Sequence, residues 1–175
     1  MNVWYSLSDI PGNEASVVTI GNFDGMHNGH KKVISTCIER AHKLGVDAVA
    51  ITFDPHPIQV HKPEVGLQLI SPLRDRLDAM AAAGLDATLV AHYDASVYSL
   101  EADEFVYEYL VERCGAREVV VGEDFRFGRG NAGTIDTLRE LGRRYGFNVI
   151  TVTDIEAPEG RRWSSSWVRE LLAAG

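Results

Sequence analysis

Cysteine is scarce in this chain: Cys37 and Cys114 are the only two in 175 residues. They stand far apart, neither has a Cys or His at metal-ligand spacing, and both fall inside apolar helical patterns. They read as buried thiols of a reducing compartment, not as a disulfide or a zinc site. Basic excess is lacking too. Lys and Arg number 17 against 25 Asp and Glu, a net charge of −8, and this excludes a general nucleic-acid binder, which needs a basic face. Any phosphate it binds must be met by a local concentration of positive groups. No apolar run reaches the ~18 residues of a membrane span. Met1 to Ile10 include Asp9 and show no basic stretch with an apolar one behind it, so no signal peptide is expected and the expected location is the cytoplasm. Internal repeats, low-complexity segments and linkers are absent as well. What is present is ordinary for one soluble globular domain spanning 1–175, with 45% apolar and 24% charged residues, enough to bury a real core.

Hydrophobic patterning divides the chain into alternating strands and helices. Ala15 to Ile20 is a short β-branched run that ends at Gly21 and reads as a buried strand. His30 to Leu44 carries apolar residues at helical spacing and stops at Gly45. Asp47 to Phe53 is a second strand, followed by a loop with Pro55, Pro57 and Pro63. Ser71-Pro72 reads as a cap with proline at the first helical position of a helix running to about Ala83. Ala87 to Ala91, Glu118 to Val121 and Asn148 to Val152 read as three more strands. Helices are expected over Ala102 to Cys114, over Thr134 to Tyr145, and from near Ser165 almost to the end, with a turn at Glu156 to Arg162. Such alternation predicts an α/β domain of Rossmann-like type: a five-stranded, mainly parallel sheet with helices on both faces. Ligands of such sheets sit beyond the carboxyl ends of the strands, so the loops after Ile20, Phe53, Ala91, Val121 and Val152 are expected to form one site.

Four segments on those loops carry chemistry. The first runs from Gly21 to His30 (GNFDGMHNGH) and leads from the first strand into the first helix. Its three glycines allow a tight turn and close approach to a ligand, and a helix start offers free N–H groups and partial positive charge to phosphate. His27 and His30, three apart, share a face, and Gly29 between them leaves room for a phosphate. Asp24 could simply cap the helix. The second segment is Ser164-Ser165-Ser166-Trp167-Val168-Arg169. Hydroxyls at a helix start cap it or donate to phosphate, and both roles fit; the arginine fork suits phosphate oxygens. The third, Val121 to Asn131, is a glycine-rich loop that reads either as a mobile surface loop or as an adenosine or acceptor site with Phe127 as a stacking surface. The fourth, Phe53-Asp54-Pro55-His56-Pro57, is a turn stiffened by two prolines.

Taken in order, these segments resemble a known family. Gly21-x-Phe-Asp-Gly-x-His-x-Gly-His30 followed by Ser-Ser-x-x-Val-Arg169 resembles the nucleotidylyltransferase superfamily. Phe53 to Pro57 and Val120 to Gly128 narrow the likeness to the FMN adenylyltransferase (FAD synthetase) module of prokaryotic bifunctional riboflavin kinase/FAD synthetases. The resemblance extends from about Val3 to Leu172. It implies that His27 and His30 bind ATP phosphates and stabilise the transition state. Ser165, Ser166 and Arg169 would grip phosphates from the last helix, with Gly21, Asn22, Phe23, Gly29 and Asp124 near the nucleotide. Phe53, Asp54, Pro55, His56, Pro57, Phe105 and Phe127 would hold the flavin. The implied substrates are ATP, carried with Mg²⁺, and FMN, with FAD as product. Ser166 stands where the family usually has Thr, Trp167 is a bulky neighbour, and Glu123 brings negative charge towards the phosphates. The family's riboflavin kinase module would belong to a longer parent chain, and no kinase activity is expected of these residues.

The FMN phosphate is already an anion at neutral pH, so no general base is required. The task is to bring an anion to a polyanion and to carry charge on the leaving pyrophosphate, which calls for positioning and electrostatic stabilisation. No protein metal ligands are assigned, because a Mg²⁺ bridging phosphate oxygens keeps its waters and takes few side chains. Two other readings remain at this point. One is nucleotidylyl transfer to another acceptor, such as a pantetheine phosphate or a sugar or polyol phosphate. The other is a non-catalytic module that binds ATP or flavin.

Overall fold

The computed structural model describes residues 1–12, 14–153 and 160–175. Among these residues six strands form one sheet: β1 (Asn2–Trp4), β2 (Ser16–Ile20), β3 (Asp47–Asp54), β4 (Ala87–His92), β5 (Ala116–Gly122) and β6 (Asn148–Val152). Their order is β1-β4-β3-β2-β5-β6, and every pairing is parallel. The five-stranded expectation misses β1. That strand is three residues long, too short for a periodic signal, and only its pairing of Asn2 with Ala87 through Trp4 with Leu89 makes it a strand.

Helices cover both faces, as parallel strands require. On one side α1 (Asn28–Leu44) and α3 (Leu73–Ala83) bury Ile34, Cys37, Ala41 and Met80 against Val17, Ala48 and Val120. On the other lie α5 (Ala102–Phe105), the π-helical turn Val106–Arg113 that continues it, and α6 (Ile135–Tyr145). They bury Val106, Leu110, Leu138 and Leu141 against Val18, Ile51 and Val119. Short helices α2 (Pro57–His61) and α4 (Ala95–Tyr98) stand at the carboxyl ends of β3 and β4, and α7 (Ser165–Ala174) closes the chain. Cys37 and Cys114 are free and buried.

Several boundaries differ from the sequence reading, each for a local reason. α1 starts at Asn28 because the His27 ring caps it. α3 starts at Leu73 with Pro72 as its cap residue, because the Ser71 hydroxyl instead accepts from the Gly25 amide (3.0 Å). The helix expected over Ala102 to Cys114 widens to π geometry from Val106. The turn read at Glu156 to Arg162 lies mostly outside the described residues.

Chain direction reverses at the centre of the sheet. From β2 the chain builds outward through β3 and β4, then returns to the other side of β2 with β5 and builds outward to β6. A crevice therefore opens beyond the ends of β2 and β5, the place where open α/β sheets bind ligands.

Candidate active site

β2 delivers the chain to Gly21, whose amide donates to the Ile51 carbonyl (3.1 Å). The chain then turns through two non-glycine residues with left-handed backbone, Phe23 (φ 52°) and Met26 (φ 40°). Each such residue costs about 1–3 kcal/mol and persists only where its surroundings fix it. Here the Phe23 ring is 1% exposed, and a Cβ on Gly21 would come within 3.1 Å of it. Asp24 does not cap α1. Its carboxylate, 1% exposed, accepts from the amides of Ile70 (3.0 Å) and Ser71 (3.0 Å) and pairs with Arg169. A buried carboxylate needs such partners.

The helix cap is His27, whose Nδ1 accepts from the His30 amide (3.4 Å). The neutral ring therefore carries its proton on Nε2, a donor free for a ligand. The rings of His27 and His30 stack at 3.6 Å with 23° between planes. Burial, then the His27 charge, pushes the His30 pKa down to about 3, against the pull of Asp24 and Asp124. Burial, then Arg162, also lowers His27. At neutral pH His30 is thus an uncharged donor, and its buried Nδ1 has no partner. Gly29 makes room chiefly for the His27 ring, since a Cβ there would lie 3.0 Å from His27 Cε1.

Across the crevice stands the start of α7. Ser164 caps it by accepting from the Trp167 amide (3.2 Å), and the Ser165 hydroxyl donates to the Asp24 carbonyl (3.0 Å). Both serines line a cavity of about 270 Å³ with Gly21, His27, Gly29 and His30. Phe23 and Asp124 also line it, and Asp124 accepts from Arg162 Nη2 at 2.6 Å. Ser166 is exposed and outside this lining. Arg169 Nε donates to the Gln68 carbonyl (2.8 Å), so in this state its fork is engaged by Gln68 and Asp24. Trp167 packs against Trp163 (ring centroids 4.7 Å apart), and Glu123 is exposed.

A second cavity, of about 330 Å³, is lined by Phe53, His56, Pro57, Phe105 and Phe127. Asp54 and Pro55 do not line it; Asp54 instead pairs with Arg76 (3.4 Å). Asn22 lines this second cavity and not the first. His56 caps α2, accepting from the Ile58 amide (3.1 Å), and burial lowers its pKa. Tyr93 and Tyr98, which fall in none of the four segments singled out from the sequence, also line this space. Tyr93 lies just past β4, where the carboxyl-end rule points; Tyr98 sits on a four-residue helix with no periodic signal. The two cavities share Ile20, Gly21 and Phe125, so they meet at the glycine turn. One is walled by two helix starts and the other by aromatic rings.

The family profile described as FAD synthetase matches residues 9–167. The chain belongs to the FAD synthetase family. Over 169 residues it is 34% identical to the Escherichia coli (strain K12) bifunctional riboflavin kinase/FMN adenylyltransferase, covering 97% of this chain and 53% of that protein. It is 37% identical over 164 residues to the Pseudomonas fluorescens protein of the same name, covering 94% of this chain and 52% of that one. A Geobacillus thermodenitrificans protein provisionally given that name is 39% identical over 166 residues, covering 95% of this chain and 86% of the relative. The chain thus spans about half the length of the first two relatives. Among solved structures, a Streptococcus pneumoniae protein described as a macrolide-efflux protein superposes with a TM-score of 0.79 at 25% identity, over 96% of this chain and 54% of that one. The Francisella tularensis pantoate-beta-alanine ligase, complexed with beta-gamma ATP and beta-alanine, gives 0.62 at 13% identity, over 97% of this chain and 73% of that one. The latter likeness is one of fold alone.

Proposed function

We propose that this chain transfers the AMP unit of ATP to FMN, releasing pyrophosphate and forming FAD. The observation that carries the reading is the meeting of a cavity between two helix starts with an aromatic cavity at Gly21. ATP phosphates would lie between the starts of α1 and α7, where amide donors and helix dipoles favour anions. The flavin would lie among Phe53, Phe105, Phe127, Tyr93 and Tyr98, with its phosphate directed to the junction.

An FMN phosphate oxygen then attacks the α-phosphorus of ATP. One P–O bond forms, the P–O bond to pyrophosphate breaks, and the electron pair leaves on pyrophosphate. No proton need be removed, because the attacking group is already anionic. His27 and His30 act as N–H donors to oxygens on which charge grows, and Ser165 stands opposite them. Positioning of this kind supplies most of the acceleration in phosphate transfers. Among the described residues no group of three or more His, Cys, Asp or Glu side chains is placed to hold a metal ion, and Asp24 and Asp124 are engaged by arginines. The described residues thus offer no Mg²⁺ cage of their own. In this reading Mg²⁺ belongs to the phosphate oxygens of ATP, whose charge it screens. A riboflavin kinase domain in a longer parent chain would supply the FMN.

The test is to mix the purified chain with FMN, ATP and Mg²⁺ and look for FAD by chromatography, with a His30→Ala control. FAD from the wild type, lost in the control with FMN affinity kept, is the expected result. FMN binding without FAD would point to a binding module, and no flavin binding would point to another acceptor.

A further inference from the structure

Arg76 is the largest fully buried side chain among the described residues. It projects from the first turn of α3 into the space between the glycine turn and the end of β3. Its Nη1 donates to the Asn22 carbonyl (2.9 Å), and lies 3.4 Å from both Thr52 Oγ1 and the Phe53 carbonyl. Its Nη2 reaches Asp54 Oδ1 at 3.4 Å, and its Nε has no partner. Thr52 Oγ1 also donates to the Asn22 carbonyl (3.2 Å).

This is a poor arrangement if its purpose is stability. A buried cation is costly unless closely paired, and the carboxylate partner here is long and 42% exposed. Burial accordingly lowers the guanidinium pKa. An apolar side chain of similar size would fill the space without that cost. What the guanidinium does, and an apolar chain could not, is hold a carbonyl of the glycine turn and one at the end of β3 with one rigid planar group. Asn22 follows the glycine at the junction of the cavities, and Phe53 is a wall of the aromatic one.

We propose that Arg76 is a positioning residue: it fixes the glycine turn relative to the carboxyl end of β3 at Phe53, so that the acceptor phosphate meets the α-phosphate of ATP. The proposal rests on the adenylyl-transfer reading. Arg76 touches neither cavity, so its loss leaves each substrate's own contacts in place but spoils their alignment. A displacement of about 1 Å caused at a distance is enough to lose about 100-fold in rate.

Wild type, Arg76→Met and Arg76→Lys are compared for thermal unfolding, for separate affinities for FMN and a non-hydrolysable ATP analogue, and for kcat. Flavin fluorescence is also followed as the analogue is added to the FMN complex. The expected result is a kcat about 100-fold lower in Arg76→Met with both affinities kept. Its flavin signal no longer responds to the analogue, and Arg76→Lys recovers part of both losses. Unchanged kcat and flavin response, with stability alone reduced, would overturn the proposal; so would equal losses in kcat and both affinities. If Arg76→Met does not fold, Thr52→Val takes its place: a smaller loss of kcat at constant affinity supports the proposal, and unchanged kcat overturns it. A wild type that makes no FAD defeats the adenylyl-transfer reading by itself. The flavin response to the analogue then still judges Arg76.

Discussion

The Asp24 carboxylate and the Arg169 guanidinium, 145 residues apart, meet in an ion pair. Asp24 is bound at the same time by two amides of the segment before α3, and Arg169 by the Gln68 carbonyl. One carboxylate therefore joins the glycine turn, the segment at Gln68 to Ser71 and the last helix. Arg169 has a structural task in addition to any with phosphate.

Arg169→Ala is expected to lower unfolding free energy by about 3 kcal/mol, because it strands a carboxylate that is 1% exposed. An arginine serving phosphate alone would cost far less stability. Urea unfolding without ligand distinguishes the two, and ATP titration of the same variant is expected to show weakened binding. Unchanged stability would mean that Asp24 is satisfied by its amides alone.

His30 gives a pH dependence whose sign follows from its environment. Its pKa falls from 6.5 to about 3 on folding, so between those values the unfolded chain binds a proton that the folded chain does not. Stability must therefore fall as pH drops below 6.5, by up to about 1.4 kcal/mol per unit from this group. Burial lowers His27 and His56 as well, with the same sign. Urea unfolding at pH 7 and pH 5 is expected to show a smaller pH loss in His30→Gln than in wild type. Parallel slopes would show that His30 charges freely in the fold.

Much of this site is legible in the sequence. Gly21 to His30 and Ser164 to Arg169 announce two helix starts because glycines, hydroxyls and a strand-to-helix change occur together; Gly21, Phe23, His27, Gly29 and His30 of the first and Ser164 and Ser165 of the second line one cavity, and Arg169 does not. What could not be read is which polar group faces which. Asp24 has the residue type of a cap, yet its partners come from Gln68 to Ser71 and α7, distant in sequence. Asn22 lies in the glycine turn but lines the aromatic cavity, and Arg76 and Thr52 hold its carbonyl. β1 is not legible because three residues carry no period, nor is Tyr98, because a single helical turn carries none.

Gly29→Ala tests how finely the histidine pair is set. Alanine favours a helix over glycine by up to about 1 kcal/mol, so the fold should not suffer. The new Cβ would lie 3.0 Å from His27 Cε1, however, and the His27 ring would have to tilt away from its stack with His30. The expected outcome is a melting temperature close to that of the wild type with a clear loss of kcat. Full activity would show that the His27 ring position is not critical.

Tyr98→Ala probes the aromatic cavity where the core is least at risk. Tyr98 stands at the cavity wall with its ring 5.8 Å from Tyr93 and 4.9 Å from His61, and it is only half-buried. Removing it should cost little stability but should loosen an aromatic ligand by about 1.4 kcal/mol, or about tenfold, as aromatic contacts go. KM for FMN is therefore expected to rise about tenfold, with KM for ATP unchanged, since Tyr98 does not line the other cavity. Steady-state kinetics with each substrate varied in turn makes the comparison. An ATP effect as large as the FMN effect would mean that the two cavities do not hold the two substrates separately.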